Sequence, residues 1–527
     1  MTPELTNVIS TDRTSDLADD DPLLASQKGS LVIGVVLLGV VLRVIRYVSC
    51  SSIWHDEASV ALNLMSRSFG DLMRPLDFAQ GAPVGWLWLS KAACEVFGYN
   101  EWALRMPAFL TGLATPIVFY FVARRLLKGT GLIVAMLLVS LLEPLVHYSN
   151  ELKPYSFDVL LALVILWFLA PGQERRGVLR SLPVLALVGS FCTWFSLASV
   201  FMLAGVGMVW IAHAWMNSGR SEAARRCVTA MCWVGSFAVH FAVSLSALSR
   251  SNELHDWWKG RGAYMPFPPT SFSDVRWFSD AAIDFFVDPM GLGFSGLGLL
   301  LVVAGVVLSV RRHKWELLAL IMPVAFVLMA SLLKQYPWGT SKQFQFPLMG
   351  RSTLWVVPLA AIMIGSGISM CLSLGGGRHR WFGWGAALLV LYPATLMAVA
   401  RGLKPVVVQD IRPAILALNE KFQTGDVVCA NDLSWRTLLY YSQRDHLAWE
   451  KNLHILVEWQ PPIPVTAKGQ NRVWLMLAYI DPKAAAVARE RLLLHWRAEG
   501  VETASQEWGG TELLLFDLSQ SAGLQTP

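Results

Sequence analysis

Two short acidic stretches hold most of the chemistry this sequence could perform. The first is Trp54, His55, Asp56, Glu57 and Ala58, directly after an apolar run, where neighbouring carboxylates suit a general base or the ligands of a hard cation. A plainer reading is a helix start whose acidic first turn complements the helix dipole, and on composition alone that is the commoner case. The second stretch runs from Tyr148 through Ser149, Asn150, Glu151, Leu152, Lys153, Pro154, Tyr155, Ser156 and Phe157 to Asp158. With a helix starting near Pro154, Tyr155 and Asp158 share a face, and Asp158 falls about one turn inside the membrane. Lys153 then either neutralises Asp158, or binds an anion while Glu151 joins Asp56 in an active site. Charge physics weighs the two about equally.

Cations accompany the acids. Arg105, Lys259, Arg261, Lys334, Lys342 and Arg351 stand in segments expected outside, among aromatics in 256–261 and 335–338, Tyr336 included. Positive groups at a lipid boundary suit a phosphate carried on a lipid, and the tryptophans suit interfacial anchoring.

The elements that must position these residues are set by hydropathy. The chain has 527 residues, 54% hydrophobic and 15% charged, with a mean hydropathy of +0.46. Soluble domains carry roughly 25% charged residues, so general disorder is excluded and a wholly soluble globule is not expected. A net charge of +5 gives no reason to expect a nucleic-acid partner. The 7 Cys contain no CxxC pair and no zinc spacing, so no disulfide framework is indicated. Apolar runs near the ~20 residues a helix needs to cross a bilayer recur along the first 400 residues, giving about eleven spans. Five basic connectors (Arg124, Arg125 and Lys128; Arg175, Arg176 and Arg180; Arg220, Arg225 and Arg226; Arg311, Arg312 and Lys314; Arg378 and Arg380) are assigned to the cytoplasm by the positive-inside rule. Val84 to Phe97, at about 14 residues, is short for a span and is expected to lie in the outer interface.

The expected organisation is a disordered cytoplasmic tail over 1–29, an all-α polytopic membrane domain over 30–401 with a catalytic first outer loop over 50–105, and a small extracytoplasmic α/β domain over 402–527. The tail lacks the basic start and short apolar core of a cleaved signal peptide. In the last domain, Ile411 to Lys421, Leu433 to Tyr441 and Pro482 to Trp496 read as helices, and Val427 to Ala430, Val473 to Ala478 and Leu513 to Phe516 as strands, with a Pro-rich break at Pro461, Pro462 and Pro464. It has no nucleotide-binding glycine loop and no nucleophile elbow, so packing or acceptor positioning is its expected role.

At these residues the sequence resembles the C-type glycosyltransferases, integral membrane enzymes that take sugars from polyprenyl-phosphate donors. Within them it is similar to the bacterial branch that includes protein O-mannosyltransferases and the glycosyltransferases of lipid A and lipopolysaccharide core. The resemblance rests on Trp54, Asp56, Glu57 and Ala58; on Phe97, Gly98, Glu101, Ala103, Leu104, Arg105 and Pro107; on Ala123, Arg124 and Arg125; and on the stretch from Tyr148 to Tyr155. It extends more weakly to Tyr336, Pro337, Arg351, Pro358 and Gly425 to Val428. Where many relatives have His-Pro-Pro-Leu in the first loop, this chain reads Gln80, Gly81, Ala82, Pro83, Val84, which puts the acceptor pocket and metal use in question.

The resemblance implies transfer at the outer face of the cytoplasmic (inner) membrane. Asp56, Glu57 and Glu151 would be the catalytic acids, or the ligands of a divalent cation if one is used. His55, Arg105, Tyr148, Lys153, Tyr155, Tyr336 and Arg351 would bind substrate: a polyprenyl-phosphate sugar and a lipid, glycan or protein acceptor, among membrane lipids. A polymerase or ligase of lipid-linked glycans is the nearest alternative. A secondary transporter is a more distant one, since the internal repeat and paired broken spans it would need are not found. With the N-terminus inside and the C-terminus outside, reporter fusions after Lys128 and after Arg401 are expected to report opposite sides, Lys128 inside. Both on one side would overturn the topology.

Overall fold

The computed structural model describes residues 22–171, 178–250, 252–338, 349–374, 380–405, 407–456 and 472–519. The acidic tail up to residue 21, the prolines at 461–464, and Arg175, Arg176 and Arg378 lie outside the described residues. The first helix begins at Pro22, inside the stretch expected to be disordered. Proline suits a first helical position, and Leu23, Leu24 and Ala25 are good helix formers.

Among the described residues, seven helices are long and apolar enough to cross a membrane: Gly29–Val48, Glu101–Ala123, Ser199–Asn217, Arg220–Leu245, Lys314–Leu332, Gly350–Ser373 and Arg380–Leu403. Four shorter apolar helices, Gly129–Leu141, Tyr155–Leu169, Leu182–Phe195 and Ser295–Val310, stand where the other expected spans fall. This is a multi-pass membrane protein. The span expected to run on from Leu132 to Val146 is broken, with one helix ending at Leu141 and another starting at Glu143. Pro144 lacks the N–H that would bond the Ser140 carbonyl, and its ring crowds that carbonyl, which accounts for the break. Arg43, fully buried in the first span, donates to the carbonyls of Val139 (3.2 Å) and Ser140 (3.4 Å) beside it. A buried cation here satisfies carbonyls that the broken helix leaves free.

The Val357–Leu374 helix is gripped on two sides through glycines. A Cβ at Gly305 would stand 2.1 Å from the carbonyl oxygen of Met363, and one at Gly367 2.1 Å from that of Leu301. On the other side Gly131 meets Gly365, where a Cβ would come within 2.4 Å of a carbonyl oxygen. Small residues let helix backbones touch where hydrophobic burial alone gives no drive.

Between the first span and Glu101 lie the His55–Ser66 helix, a short 3-10 turn and the Val84–Phe97 helix. The last has 14 residues, so it is about 21 Å long, short of a ~30 Å hydrocarbon core. It buries Val84, Leu87, Lys91 and Cys94 against the protein and exposes Leu89, Val96 and Phe97.

The C-terminal part is a five-stranded sheet in the order β2-β1-β3-β5-β4, with β1 Val427–Asn431, β2 Leu453–Leu456, β3 Arg472–Ala478, β4 Val501–Trp508 and β5 Thr511–Asp517. Strand β1 pairs in parallel with β2 and β3, while β5 runs antiparallel to β3 and β4. The three strands expected from sequence form the sheet interior. The two that were not, β2 and β4, are its edges; β4 reads Val-Glu-Thr-Ala-Ser-Gln-Glu-Trp, as polar as an exposed edge strand has to be.

This domain docks on the segment between the first and second spans through Glu101. Tyr441 donates to Glu101 (2.9 Å), and Arg444 and Arg412 lie 3.1 and 3.3 Å from its carboxylate oxygens. Glu101→Gln removes the charge both guanidinium groups face, and is expected to cost about 2 kcal/mol. The readouts are a lower Tm and faster proteolytic cleavage near residues 401–411. Unchanged values for both would show that the seat does not depend on this carboxylate.

Candidate active site

The His55–Ser66 helix carries Asp56 and Glu57 in its first turn, where its dipole favours negative charge. Adjacent helical residues point about 100° apart, so the two carboxylates cannot serve one centre. Glu57 turns inward. Its oxygens accept from Arg105 Nε (2.7 Å) and Nη2 (2.5 Å), and Oε1 also accepts from the backbone N–H of Leu152 (2.8 Å). Arg105 spends its remaining fork on the carbonyls of Ser51 (2.7 Å) and Ser52 (3.3 Å). Both side chains are buried, so neither is free for substrate: the sequence grouped Glu57 with the acids and Arg105 with the binders, and the structure makes them a tie between three segments.

That tie brings the loop after Tyr148 onto the helix start. Two residues on from Glu151 a tight turn, Lys153 N–H to the Glu151 carbonyl at 2.7 Å, directs Lys153 to Asp56. Lys153 Nζ lies 2.9 Å from Asp56 Oδ1, and Arg351 Nη1 lies 2.8 Å from Oδ2. Burial opposes the ionised form of Asp56, but Lys153 and Arg351 outweigh it and hold the carboxyl well below the usual carboxylate range. The choice over Lys153 resolves against Asp158. The Asp158 carboxylate accepts from the Ser196 hydroxyl instead.

Glu151 is buried and accepts from Trp54 Nε1 (2.8 Å). Its other oxygen lies 3.5 Å from His147 Nε2, and neither atom makes a hydrogen bond. Asp56, Glu57 and Glu151 therefore face different partners. Among the described residues no group of three or more His, Cys, Asp and Glu side chains is arranged to hold a metal ion. As placed, the three expected ligands do not fit a divalent cation, because the first two are already neutralised by lysine and arginine.

The aromatics wall the centre. Tyr148 is buried edge-on to Tyr155 with centroids 5.1 Å apart, and the Arg351 guanidinium lies 5.8 Å from the Tyr155 ring. Tyr336 is engaged structurally, donating to the Ser352 carbonyl (2.9 Å) and so bracing the turn that carries Arg351.

Sequence reading missed three contributors. Gln80 accepts from Lys153 Nζ (2.7 Å). Gln409 accepts from the backbone N–H of His55 (3.0 Å). Arg436, from the C-terminal domain, sets Nη1 2.9 Å from His55 Nε2. Gln80 was singled out only as a departure from its relatives; the other two lie more than 350 residues away from His55, and no spacing rule reaches that far.

Residues 81–243 match the model of the dolichyl-phosphate-mannose-protein mannosyltransferase family. The crystal structure of ArnT from Cupriavidus metallidurans in the apo state is similar at a TM-score of 0.52 and 11% identity, over 94% of this chain and 99% of that one. The same protein bound to undecaprenyl phosphate gives 0.51 and 13%, over 93% and 98%. At these identities the likeness is one of fold. No curated protein matches the chain in sequence. Over residues 81–243 the chain is thus similar to a family of membrane glycosyltransferases that use dolichyl-phosphate mannose, and as a whole it has the fold of ArnT.

Burial, with Arg436 adding to it, pushes His55 down from 6.5 to about 4. As pH falls below the unfolded value, the unfolded chain takes up a proton that folded His55 refuses, so stability is lost between about 6.5 and about 4. Asp56 acts lower, since its depressed pKa supports the fold above its ordinary 3.8 and that support is lost only below it. His55→Asn is expected to flatten Tm against pH in the upper window. An unaltered profile would show that His55 is not what titrates there.

Proposed function

We propose that this protein transfers one sugar from a polyprenyl-phosphate donor to a hydroxyl of a lipid, glycan or protein acceptor at the outer face of the cytoplasmic membrane, with its N-terminus cytoplasmic and its C-terminal domain outside. The observation that carries this reading is the pairing of one carboxylate with two cations, Lys153 and Arg351 on Asp56.

In the resting site this arrangement suppresses chemistry. A carboxylate held far below neutral pH is a weak base, and two cations spent on it are not on a phosphate. A donor phosphate entering beside Asp56 competes for Lys153 and Arg351. As they move to it, Asp56 loses the charges that depress its pKa and becomes a stronger base just when the donor is in place. The acceptor oxygen then forms its bond to the anomeric carbon as the bond from that carbon to the phosphate oxygen breaks. The hydroxyl proton passes to Asp56, and the electron pair leaves with the lipid phosphate, where Lys153 and Arg351 stabilise the developing charge. Glu57 and Arg105 hold the two loops in register, and Glu151 orients Trp54 at the helix start. ArnT bound to undecaprenyl phosphate supports the donor class. The family match favours transfer over transport.

Asp56→Asn is expected to lower turnover by about a hundredfold to ten-thousandfold. Lys153→Met and Arg351→Met should each weaken binding of undecaprenyl phosphate by roughly 10- to 100-fold, the value of a charge-assisted hydrogen bond of about 1.5 to 3 kcal/mol. Arg351→Lys should be intermediate if a guanidinium fork is needed. Near-normal turnover by Asp56→Asn, or unchanged lipid-phosphate binding in both methionine variants, would overturn the assignment.

A further inference from the structure

One small pocket has Gln80 in its wall, the residue that touches Lys153 beside Asp56. It has a volume of about 120 Å³ and is lined by Arg74, Leu76, Gln80, Gly81, Ser244 and Leu248 among others, where the first outer loop meets the outer end of the 220–245 helix. We propose that this pocket receives the sugar of the donor, and that Gln80 and Ser244 set which sugar is accepted. The proposal rests on the donor class given above and adds the place and the selectivity.

Size and lining point to a single sugar ring. Carboxamide, hydroxyl and guanidinium groups share the walls with leucine side chains, as a ring with hydroxyls on its edge and C–H groups on its faces requires. The larger cavity of about 540 Å³, lined by Leu203, Met208, Trp233 and Phe237, is almost wholly apolar, and its Thr193 hydroxyl is already bonded to the Ser190 carbonyl.

The link to the reacting centre decides between donor and acceptor. Lys153 Nζ touches both Asp56 and the Gln80 carboxamide oxygen. When Lys153 turns to the donor phosphate, that oxygen is released at the wall of the pocket, beside whatever that phosphate carries. An acceptor, by contrast, must approach the Asp56 carboxylate. The Gln80 amide stays oriented by its bond to the Phe78 carbonyl (3.2 Å).

The backbone is shaped for the purpose on both sides. Phe78 and Ala79 hold positive φ values of 65° and 51°, which side chains other than glycine rarely adopt and which cluster at ligand sites. Opposite them, Phe241–Leu245 opens into a π turn, a feature frequent at functional sites, and brings Ser244 and Leu245 to the wall. Gly81 allows the close approach, since a Cβ there would stand 2.1 Å from Leu248 Cδ2.

The test compares full-length purified protein, in detergent, binding bare undecaprenyl phosphate and the same lipid carrying one hexose or one pentose at a time. The wild type should prefer at least one sugar-bearing lipid to the bare one. Ser244→Phe, which fills the pocket, should abolish that preference, a loss of tenfold or more, with bare-lipid affinity unchanged. Gln80→Ala should reduce the preference, and Leu248→Ala, which enlarges the pocket, should widen the range of sugars bound, so misfolding of one variant leaves two readouts. Equal preference in the wild type and the variants, a wild type indifferent to every sugar, or a variant effect confined to acceptor KM would each overturn the proposal. Failure of the wild type to bind bare undecaprenyl phosphate would instead overturn the donor class.

Discussion

The buried Glu57–Arg105 pair is the constraint on which the site depends. It joins residues 51–57, where the chain leaves the first span and enters the His55–Ser66 helix, to Arg105 in the second span and to the backbone of Leu152, so three stretches far apart in sequence meet at one ion pair. Two charges taken out of water are stabilising only when every remaining donor and acceptor is met. Here the Arg105 fork is spent on Glu57 and two carbonyls, and Glu57 accepts a backbone N–H besides. Loosening this tie would free the turn that points Lys153 at Asp56.

On that frame the site stores its charges against one another. Asp56 is kept ionised by Lys153 and Arg351, and the same contacts keep it a poor base. A site that wakes only when an anion draws the cations away would discriminate against idle proton traffic and against acceptors arriving before a donor.

The C-terminal domain is part of the same arrangement. Arg436 faces His55, Gln409 caps its backbone, and Tyr441, Arg444 and Arg412 gather on Glu101 at the start of the second span. These charge pairs add to an apolar seat, since Ile411, Leu438, Tyr440 and Tyr441 share one buried cluster with Ile53, Trp54, Ala58 and Ala61.

Much of this was written locally in the chain. The apolar runs, the helices Val84–Phe97, Tyr155–Leu169 and Ile411–Lys421, and the acidic stretch at Trp54 could be read directly, because helix periodicity and the prolines at helix starts, Pro83, Pro154 and Pro413, act over a few residues. The sheet interior was legible for the same reason, while edge strand β4 was hidden by its polarity and β2 by its four-residue length. What only tertiary structure decided was the partner of each charge. Asp56 and Glu57 are neighbours in sequence, yet a 100° turn of the helix sends one to Lys153 and Arg351 and the other to Arg105. Lys153 had Asp158 five residues away and took Asp56 instead, because the tight turn after Glu151 carries it back while Ser196 satisfies Asp158. Charge interacts through space, and sequence distance says little about space once the chain has crossed a membrane and returned.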